Sequence, residues 1–284
     1  MKHKYKLYIF IFSIFLLACK DEELKAPVPG YITIDNIDVV SSAAGQGSTK
    51  DKITDAWVFI DDNLIGSFEL PTTIPIQKTG NVRLSIRGGI FNNGMSNSRK
   101  IYPFYNFYRL DTLINPEQEI KLSPVVPYKT DAIFDYPWSG EDFESSVNFI
   151  QNGSSNSSLV RNTTNNVYEG LASGYAKLET NETFFEVYTP TFSDIPRRGE
   201  PVYLEMNYRN THDVVVSIYT NSRSAQYSVI VLRPKSDWNK VYIDFSTVFS
   251  TLTTAVDFKI AIGFTKPQGE VGEIHLDNVK LIHY

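Results

Sequence analysis

The sequence predicts an all-β fold built from two tandem β-sandwiches, and three observations support this prediction. A chain of 284 residues is long enough for about two domains. Tyr (17) and Phe (18) dominate the aromatic content of 13%, a bias that favours strands. Apolar runs with period-two alternation are separated by turn residues, and no convincing amphipathic helix interrupts them. The net charge of −5 argues against a nucleic-acid partner, because phosphate backbones require a clustered basic face.

The N-terminus has the features of a secretory signal. A basic segment, Lys2 to Lys6, precedes the apolar run Leu7–Ala18. This run is shorter than the ~20 apolar residues that a transmembrane helix needs. Residues 1–18 are therefore predicted to be a signal peptide. Cys19 is the only cysteine, which excludes an intramolecular disulfide and any CxxC metal or redox motif.

The residues around Cys19 resemble two lipoprotein signals. Leu16-Leu17-Ala18-Cys19 resembles the bacterial lipobox, which implies that Cys19 carries acyl chains such as palmitate and anchors the protein to a membrane. An ordinary signal peptide with a chance cysteine nearby is the alternative. The next four residues resemble the export signal of Bacteroidota surface lipoproteins, which implies an outer-membrane location facing the cell exterior: Lys20, Asp21, Glu22 and Glu23. A solvated charged tether is the alternative.

After a tether at residues 19–30, residues 31–124 predict a first β-sandwich. Its clearest element is a hairpin in which Ala56–Ile60 and Leu64–Leu70 flank the turn residues Asp61-Asp62-Asn63. Further strands are predicted in the segments YITIDNIDVV, NVRLSIRGGIF, KIYPFYNFYRLDTLI and EQEIKL.

The first sandwich resembles the immunoglobulin-like or PEGA-like modules of Bacteroidota surface lipoproteins. The resemblance is carried by WVFIDDNLIGSFELP and RLSIRGG. Three tyrosines, Tyr102, Tyr105 and Tyr108, fall in one dense aromatic strand. They are expected to pack in a core or at a protein interface.

Pro124 and Pro127 mark the predicted domain boundary, and residues 130–284 predict the second sandwich. Seven strand candidates follow one another with short connections. Trp238–Phe245, followed by IHLDNVKL at the end of the chain, resembles the jelly roll of carbohydrate-binding modules and galactose-binding-like domains. This resemblance implies a jelly-roll β-sandwich with a non-catalytic, glycan-binding role, and places Trp238 in the core.

No catalytic motif is present in the sequence. It lacks a GxSxG elbow, HExxH, a P-loop and a dinucleotide fingerprint. His212, His275 and His283 are interpreted as surface residues, so no enzyme activity and no cofactor are predicted. The jelly-roll resemblance implies one possible metal, a structural Ca²⁺ bound by Glu144 and Asp277. The alternative is that Asp277 caps a turn through its carboxylate.

The predicted glycan contacts are Tyr219, Arg223 and Tyr227, which bracket a loop between two strands. They offer aromatic rings and a bidentate donor, and core packing is the alternative. The sequence therefore predicts an outer-membrane surface lipoprotein that binds glycan without catalysis. The alternative is an accessory or structural subunit that docks on an outer-membrane uptake, secretion or motility complex through protein contacts.

Overall fold

The computed structural model describes residues 27–134, 141–164 and 166–284. The predicted signal peptide, the lipidated Cys19 and the export signal Lys20 to Glu23 lie outside these residues and remain predictions. Within the described residues, no helix combines the length and apolar character that crossing a membrane requires.

The predicted all-β class, with two sandwiches in tandem, is confirmed. The first sandwich contains β1 (Gly30–Ile34), β2 (Asp38–Val40), β3 (Asp55–Ile60), β4 (Asn63–Glu69), β5 (Thr72–Ile76), β6 (Gly80–Phe91), β7 (Arg99–Ile101), β8 (Tyr108–Ile114), β9 (Glu119–Leu122) and β10 (Val125–Pro127). The second contains β11 (Ile133–Phe134), β12 (Ile150–Gln151), β13 (Val160–Asn162), β14 (Ser173–Leu178), β15 (Phe184–Tyr188), β16 (Val202–Asn210), β17 (Val214–Thr220), β18 (Ala225–Leu232), β19 (Lys235–Asp244), β20 (Phe258–Thr265) and β21 (Gly272–His283), with a short helix at Ser246–Thr251.

In the first sandwich, the sheets β5-β1-β9 and β10-β2 pack against a third sheet that contains β4-β3-β6. In this third sheet, β7 and β8 both pair with β6. Ile32, Val58 and Leu84 are fully buried between them. The predicted hairpin is present, and its turn residues Asp61 and Asp62 have φ of 47° and 64°. Left-handed backbone at both central positions matches the twist of the flanking strands.

The predicted aromatic strand between Lys100 and Ile114 is interrupted. β7 ends at Ile101 and β8 begins at Tyr108, because Pro103 cannot donate a ladder hydrogen bond. The intervening Tyr102 and Tyr105 are buried against aromatic rings of the second sandwich. In the predicted boundary segment, β10 pairs in parallel with β2 and so adds to the first sandwich.

The second sandwich is a jelly roll of two facing antiparallel sheets. One sheet has the order β13-β14-β21-β16-β19, with β11 added to β21, and the other has the order β12-β15-β20-β17-β18. All seven predicted strands are present. β14 was not predicted from sequence, because its segment SGYAKL is short and includes Gly174. A Cβ at Gly174 would lie 2.5 Å from Phe143 of the core, so only glycine fits there.

A buried carboxylate, Glu205, joins the two sandwiches. It is 0% exposed and lies 2.6 Å from Nζ of Lys240 and 3.7 Å from Nζ of Lys280. From the first sandwich, the hydroxyls of Tyr102 and Tyr128 donate to it at 2.8 and 3.1 Å. Burial alone would raise the pKa of Glu205, but attraction to the two lysines holds it below its ordinary value. Glu205 is therefore ionised and fully partnered.

The two lysines also hold a loop of the first sandwich. Nζ of Lys280 donates to the carbonyls of Gln46 and Ser48 at 3.1 and 2.7 Å, and Nζ of Lys240 donates to the carbonyl of Lys50 at 2.7 Å. Each lysine thus contacts both the carboxylate and the loop. The polar interior of the interface is continuous from one sandwich to the other.

We expect Glu205→Gln to lower the free energy of unfolding by about 3–5 kcal/mol, because it leaves two buried ammonium groups without a counter-charge. Denaturant titration of the purified protein measures this change. Lys177→Ala, which removes the exposed Lys177–Glu179 pair, is the control and should leave the midpoint nearly unchanged. Equal midpoints for Glu205→Gln and wild type would contradict the assigned role of Glu205.

Candidate functional site

The outward side of the sheet β12-β15-β20-β17-β18 carries an organised polar and aromatic cluster. Along β15, Phe185 and Val187 enter the core, so the alternating residues Glu186 and Tyr188 face outward. Neighbouring strands and the β17–β18 turn add further side chains to this side. We call the set the tyrosine face, and it comprises Glu186, Tyr188, Ser217, Tyr219, Arg223, Gln226 and Lys259.

Glu186 is the centre of the tyrosine face, although only 6% of it is exposed. Its Oε1 accepts from Nδ2 of Asn152 at 2.5 Å and from the hydroxyl of Tyr219 at 2.8 Å. Its Oε2 accepts from Nε2 of Gln226 at 3.0 Å. Gly263 lies opposite Glu186, where an added Cβ would be 2.9 Å from Glu186 Cβ. Because Gly263 has no Cβ, the side chain of Glu186 can pack directly against the neighbouring strand.

Two tyrosine rings and a guanidinium cover this carboxylate. The rings of Tyr188 and Tyr219 are 6.2 Å apart in an edge-to-face arrangement. The guanidinium of Arg223 lies 4.5 and 4.9 Å from their centroids, and Nη1 of Arg223 donates to the hydroxyl of Tyr188 at 3.3 Å. Burial, and then the hydrogen bond to Glu186, raises the pKa of Tyr219. Its hydroxyl is therefore a donor at neutral pH.

A strained turn places Arg223 over the rings. Asn221, Ser222 and Arg223 have φ of 49°, 56° and 73°, a left-handed run that side chains other than glycine rarely adopt. Asp257 supports the turn by accepting the backbone N–H of Ser222 at 2.8 Å. Such strain persists only where surrounding contacts hold it, and it is concentrated at functional sites.

Of the three predicted glycan contacts, the structure brings Tyr219 and Arg223 together and separates Tyr227 from them. Tyr219 pairs with Gln226, so the next residue, Tyr227, points to the opposite side of the sheet, where it is 44% exposed. The sequence prediction missed Glu186 and Gln226. Alternation in the segment FFEVY was the available signal for Glu186, because it places a charge between two core residues.

The predicted calcium ligands are engaged with the backbone. Oε1 of Glu144 accepts the N–H groups of Leu171 and Ala172 at 2.8 and 3.2 Å. Asp277 accepts the N–H groups of Asn278 and Glu169 at 2.8 and 3.3 Å, and burial raises its pKa to about 7. No group of three or more His, Cys, Asp or Glu side chains in the described residues is placed to hold a metal ion. The calcium site therefore remains a prediction.

Three residues of the second sandwich differ from their predicted environments. His275 and His283 were interpreted as surface residues but are each only 3% exposed, and His275 lies on the outward side of β21. Trp238 was expected in the core but lies half-buried on the same side of the sheet. There it contacts the rings of Tyr168 and His275, at centroid distances of 5.4 and 5.9 Å. Trp238 has the same parity along β19 as Lys240, opposite to the core residues Val241 and Ile243, so alternation places it outward and the expectation taken from the jelly-roll resemblance was wrong.

No protein-family model and no curated protein matches the chain. Solved structures do match. The CBM22-1 xylan-binding domain from Paenibacillus barcinonensis Xyn10C has a TM-score of 0.39 at 11% identity, over 51% of this chain and 95% of that chain. A variant of CBM29-2 complexed with cellulohexaose has a TM-score of 0.36 at 14% identity, over 55% and 92%. The enzymatically active domain of bacteriophage CBA120 tailspike protein 4 has a TM-score of 0.38 at 16% identity, over 50% and 20%.

We expect Tyr219→Phe to lower the free energy of unfolding by about 1 kcal/mol, because it removes one hydrogen bond to a buried carboxylate while keeping the ring. Thermal or chemical denaturation measures the change. Tyr227→Phe is the matched control, since its side chain is exposed on the other side of the sheet, and it should be nearly neutral. A larger effect for Tyr227→Phe than for Tyr219→Phe would contradict the assignment of Glu186 as the centre of the cluster.

Proposed function

We propose that this chain is a surface-anchored, non-catalytic glycan-binding protein, and that the tyrosine face of its jelly roll contacts the sugar. One observation carries the proposal: a carboxylate, amides, two tyrosine rings and a guanidinium converge on a side of the sheet that the hydrophobic core does not use. Side chains on such a side are normally solvated independently. Their mutual ordering supports a binding role.

The chemistry of the tyrosine face suits a saccharide. Sugars present hydroxyl groups that need directional partners and C–H faces that pack on aromatic rings. Gln226 is exposed, and Arg223 and Lys259 are partly exposed above the rings. Arg223 and Lys259 supply outer donors, and Gln226 supplies an acceptor oxygen because its amide nitrogen already donates to Glu186 and Ser217. Glu186 fixes the orientation of the groups beneath them. Because the polar groups are already ordered, little conformational entropy is lost on binding.

We expect the protein to bind an oligosaccharide and Arg223→Ala to weaken that binding by roughly tenfold or more, since it removes a charged donor. Xylan and cellulohexaose, the ligands named for two of the similar structures, are suitable first probes in a glycan array followed by calorimetry. Gln226→Ala should also weaken binding, whereas Tyr227→Phe should not. Affinity that is unchanged by Arg223→Ala would rule out the tyrosine face as the site.

The alternative function, docking on an outer-membrane complex, is distinguished by purification from solubilised membranes. Recovery of the protein alone, with retention on glycans, favours the glycan-binding proposal. Stoichiometric recovery with a membrane complex, and no glycan retention by the purified protein, favours the accessory subunit.

The proposed anchor is tested separately from the ligand. We expect Cys19→Ala to move the protein out of the membrane fraction, because the acyl chains provide the attachment. Alanine at all four positions from Lys20 to Glu23 should leave the protein in the membrane but remove its accessibility to external protease. Membrane retention of Cys19→Ala would contradict lipidation at this residue.

A further inference from the structure

A second recess lies along the opposite sheet of the jelly roll and extends to the junction with the first sandwich. A cavity of about 240 Å³ is lined by Arg209, Lys235, Glu273 and His275. A cleft of about 410 Å³ between the two sandwiches is lined by Lys52 from the first sandwich and Lys235 and Asn239 from the second. The two cavities share Lys235. We call this recess the histidine groove, and its named residues are Lys52, Tyr175, Arg209, Lys235, Trp238, Glu273 and His275.

His275 is a buried polar group of this groove. Its side chain is only 3% exposed, and among the described residues neither Nδ1 nor Nε2 has a hydrogen-bond partner. Burial, followed by repulsion from Arg209, lowers the pKa of His275 to about 4, so the imidazole is neutral at pH 7. A neutral imidazole has one donor and one acceptor nitrogen. Buried polar atoms are nearly always bonded, so an unpartnered imidazole beside a cavity is available to a group that enters that cavity.

The surroundings of His275 suit a sugar ring. Strand register places Tyr175 and Arg209 directly beside it, one on each neighbouring strand. The Tyr175 ring lies 4.7 Å from the imidazole, and Trp238 approaches it edge-on at 5.9 Å. Both rings are half-buried, which leaves part of each available to an apolar C–H face. A sugar carries several hydroxyl groups, each able to donate or to accept, so two of them can partner the two imidazole nitrogens.

The charge of the histidine groove indicates that its ligand is anionic. Lys52, Lys235 and Arg209 have no carboxylate within ion-pair distance among the described residues. Lys52 and Arg209 bond only to neutral amides, those of Asn239 and Asn166. Burial and repulsion from Lys235 lower the pKa of Lys52.

The other charges near the groove offset only part of this excess. Glu273 carries the negative charge of the smaller cavity, and its hydrogen bond from the hydroxyl of Tyr175 at 2.9 Å leaves that charge in place. In the larger cleft, Arg233 pairs with Asp213 and Lys240 with Glu205. Three cations, Lys52, Lys235 and Arg209, thus face one carboxylate, so the groove has a net positive charge in a protein of net charge −5.

We propose that the histidine groove binds an acidic saccharide, with a hydroxyl of the sugar bonded to the imidazole of His275 and its carboxylate or sulfate placed between Arg209, Lys235 and Lys52. The site goes beyond the tyrosine face and does not depend on it, and the two share only the saccharide class of their ligands. Lys52 belongs to the first sandwich, so the groove is complete only when both sandwiches are docked.

The test measures binding of an oligogalacturonate, its neutral methyl ester, a sulfated oligosaccharide and inorganic sulfate to the full chain by calorimetry. We expect the acidic oligosaccharide to bind, and Lys235→Ala to weaken it by roughly tenfold or more. Lys235 is exposed, so this variant should fold normally. His275→Phe should weaken binding similarly, and its melting temperature checks that the fold is kept. Binding should also weaken as salt is added. Comparing the oligogalacturonate with the sulfated oligosaccharide shows whether the groove prefers a carboxylate or a sulfate.

A nuclear magnetic resonance readout isolates the imidazole. The ring nitrogen resonances of His275 should shift when the acidic oligosaccharide is added. Those of His212, which pairs with Glu270 at 2.8 Å, should not.

Three outcomes would overturn the proposal. The first is equal affinity of wild type and Lys235→Ala. The second is equal binding of the neutral ester, or of inorganic sulfate, which would show that charge or sugar is dispensable. The third is loss of binding in Arg223→Ala with retention in Lys235→Ala, which would place the acidic ligand on the tyrosine face. If only the proposal for the tyrosine face is wrong, neutral glycans will not bind, but the acidic oligosaccharide still will.

Discussion

The ionised carboxylate of Glu205 is the constraint on which the arrangement of the two sandwiches depends. It is contained wholly within the protein, where an unpaired charge is strongly unfavourable. Its partners come from both sandwiches: Lys240 and Lys280 from the second, and Tyr102 and Tyr128 from the first. Separating the sandwiches would remove the two tyrosine donors from Glu205. It would also remove the loop carbonyls to which Lys240 and Lys280 donate. The polar interface therefore favours one docked geometry, and the histidine groove, with walls from both sandwiches, exists only in that geometry.

The two outward sides of the jelly roll differ in how their polar groups are satisfied. On the tyrosine face, Glu186 is bonded to Asn152, Tyr219 and Gln226, so its oxygens need no external partner. In the histidine groove, neither nitrogen of His275 bonds to any group in the part of the chain that the structure describes. The first arrangement orders donors for a ligand that approaches from above, because the carboxylate holds the groups in position. The second leaves a buried donor and acceptor for the ligand itself to complete. The jelly roll thus presents a preorganised surface on one side and an incomplete polar site on the other.

Much of the fold could be predicted from local patterns. The Asp61-Asp62 hairpin and seven strands of the second sandwich follow from alternation and turn residues, because both are properties of adjacent positions. The site was predictable only in part. Tyr219 and Arg223 were identified because they flank a recognisable turn, whereas Tyr227 was wrongly grouped with them, since one position along a strand reverses the side chain. His275 was misplaced because its burial depends on the two strands that neighbour β21, and Trp238 because its core position was taken from a resemblance rather than from alternation along β19.

The sequence by itself determined the all-β class, most strand positions and the single cysteine that carries the predicted anchor. Local propensity and patterning are enough for these, since each is encoded in consecutive residues. Only the tertiary structure decided which charges are buried and which polar atoms meet. Tyr102 and Glu205 are 103 positions apart, and Lys280 donates to a carbonyl 234 positions away. Such contacts arise from the docking of one sandwich on the other, for which no run of neighbouring residues carries a signature.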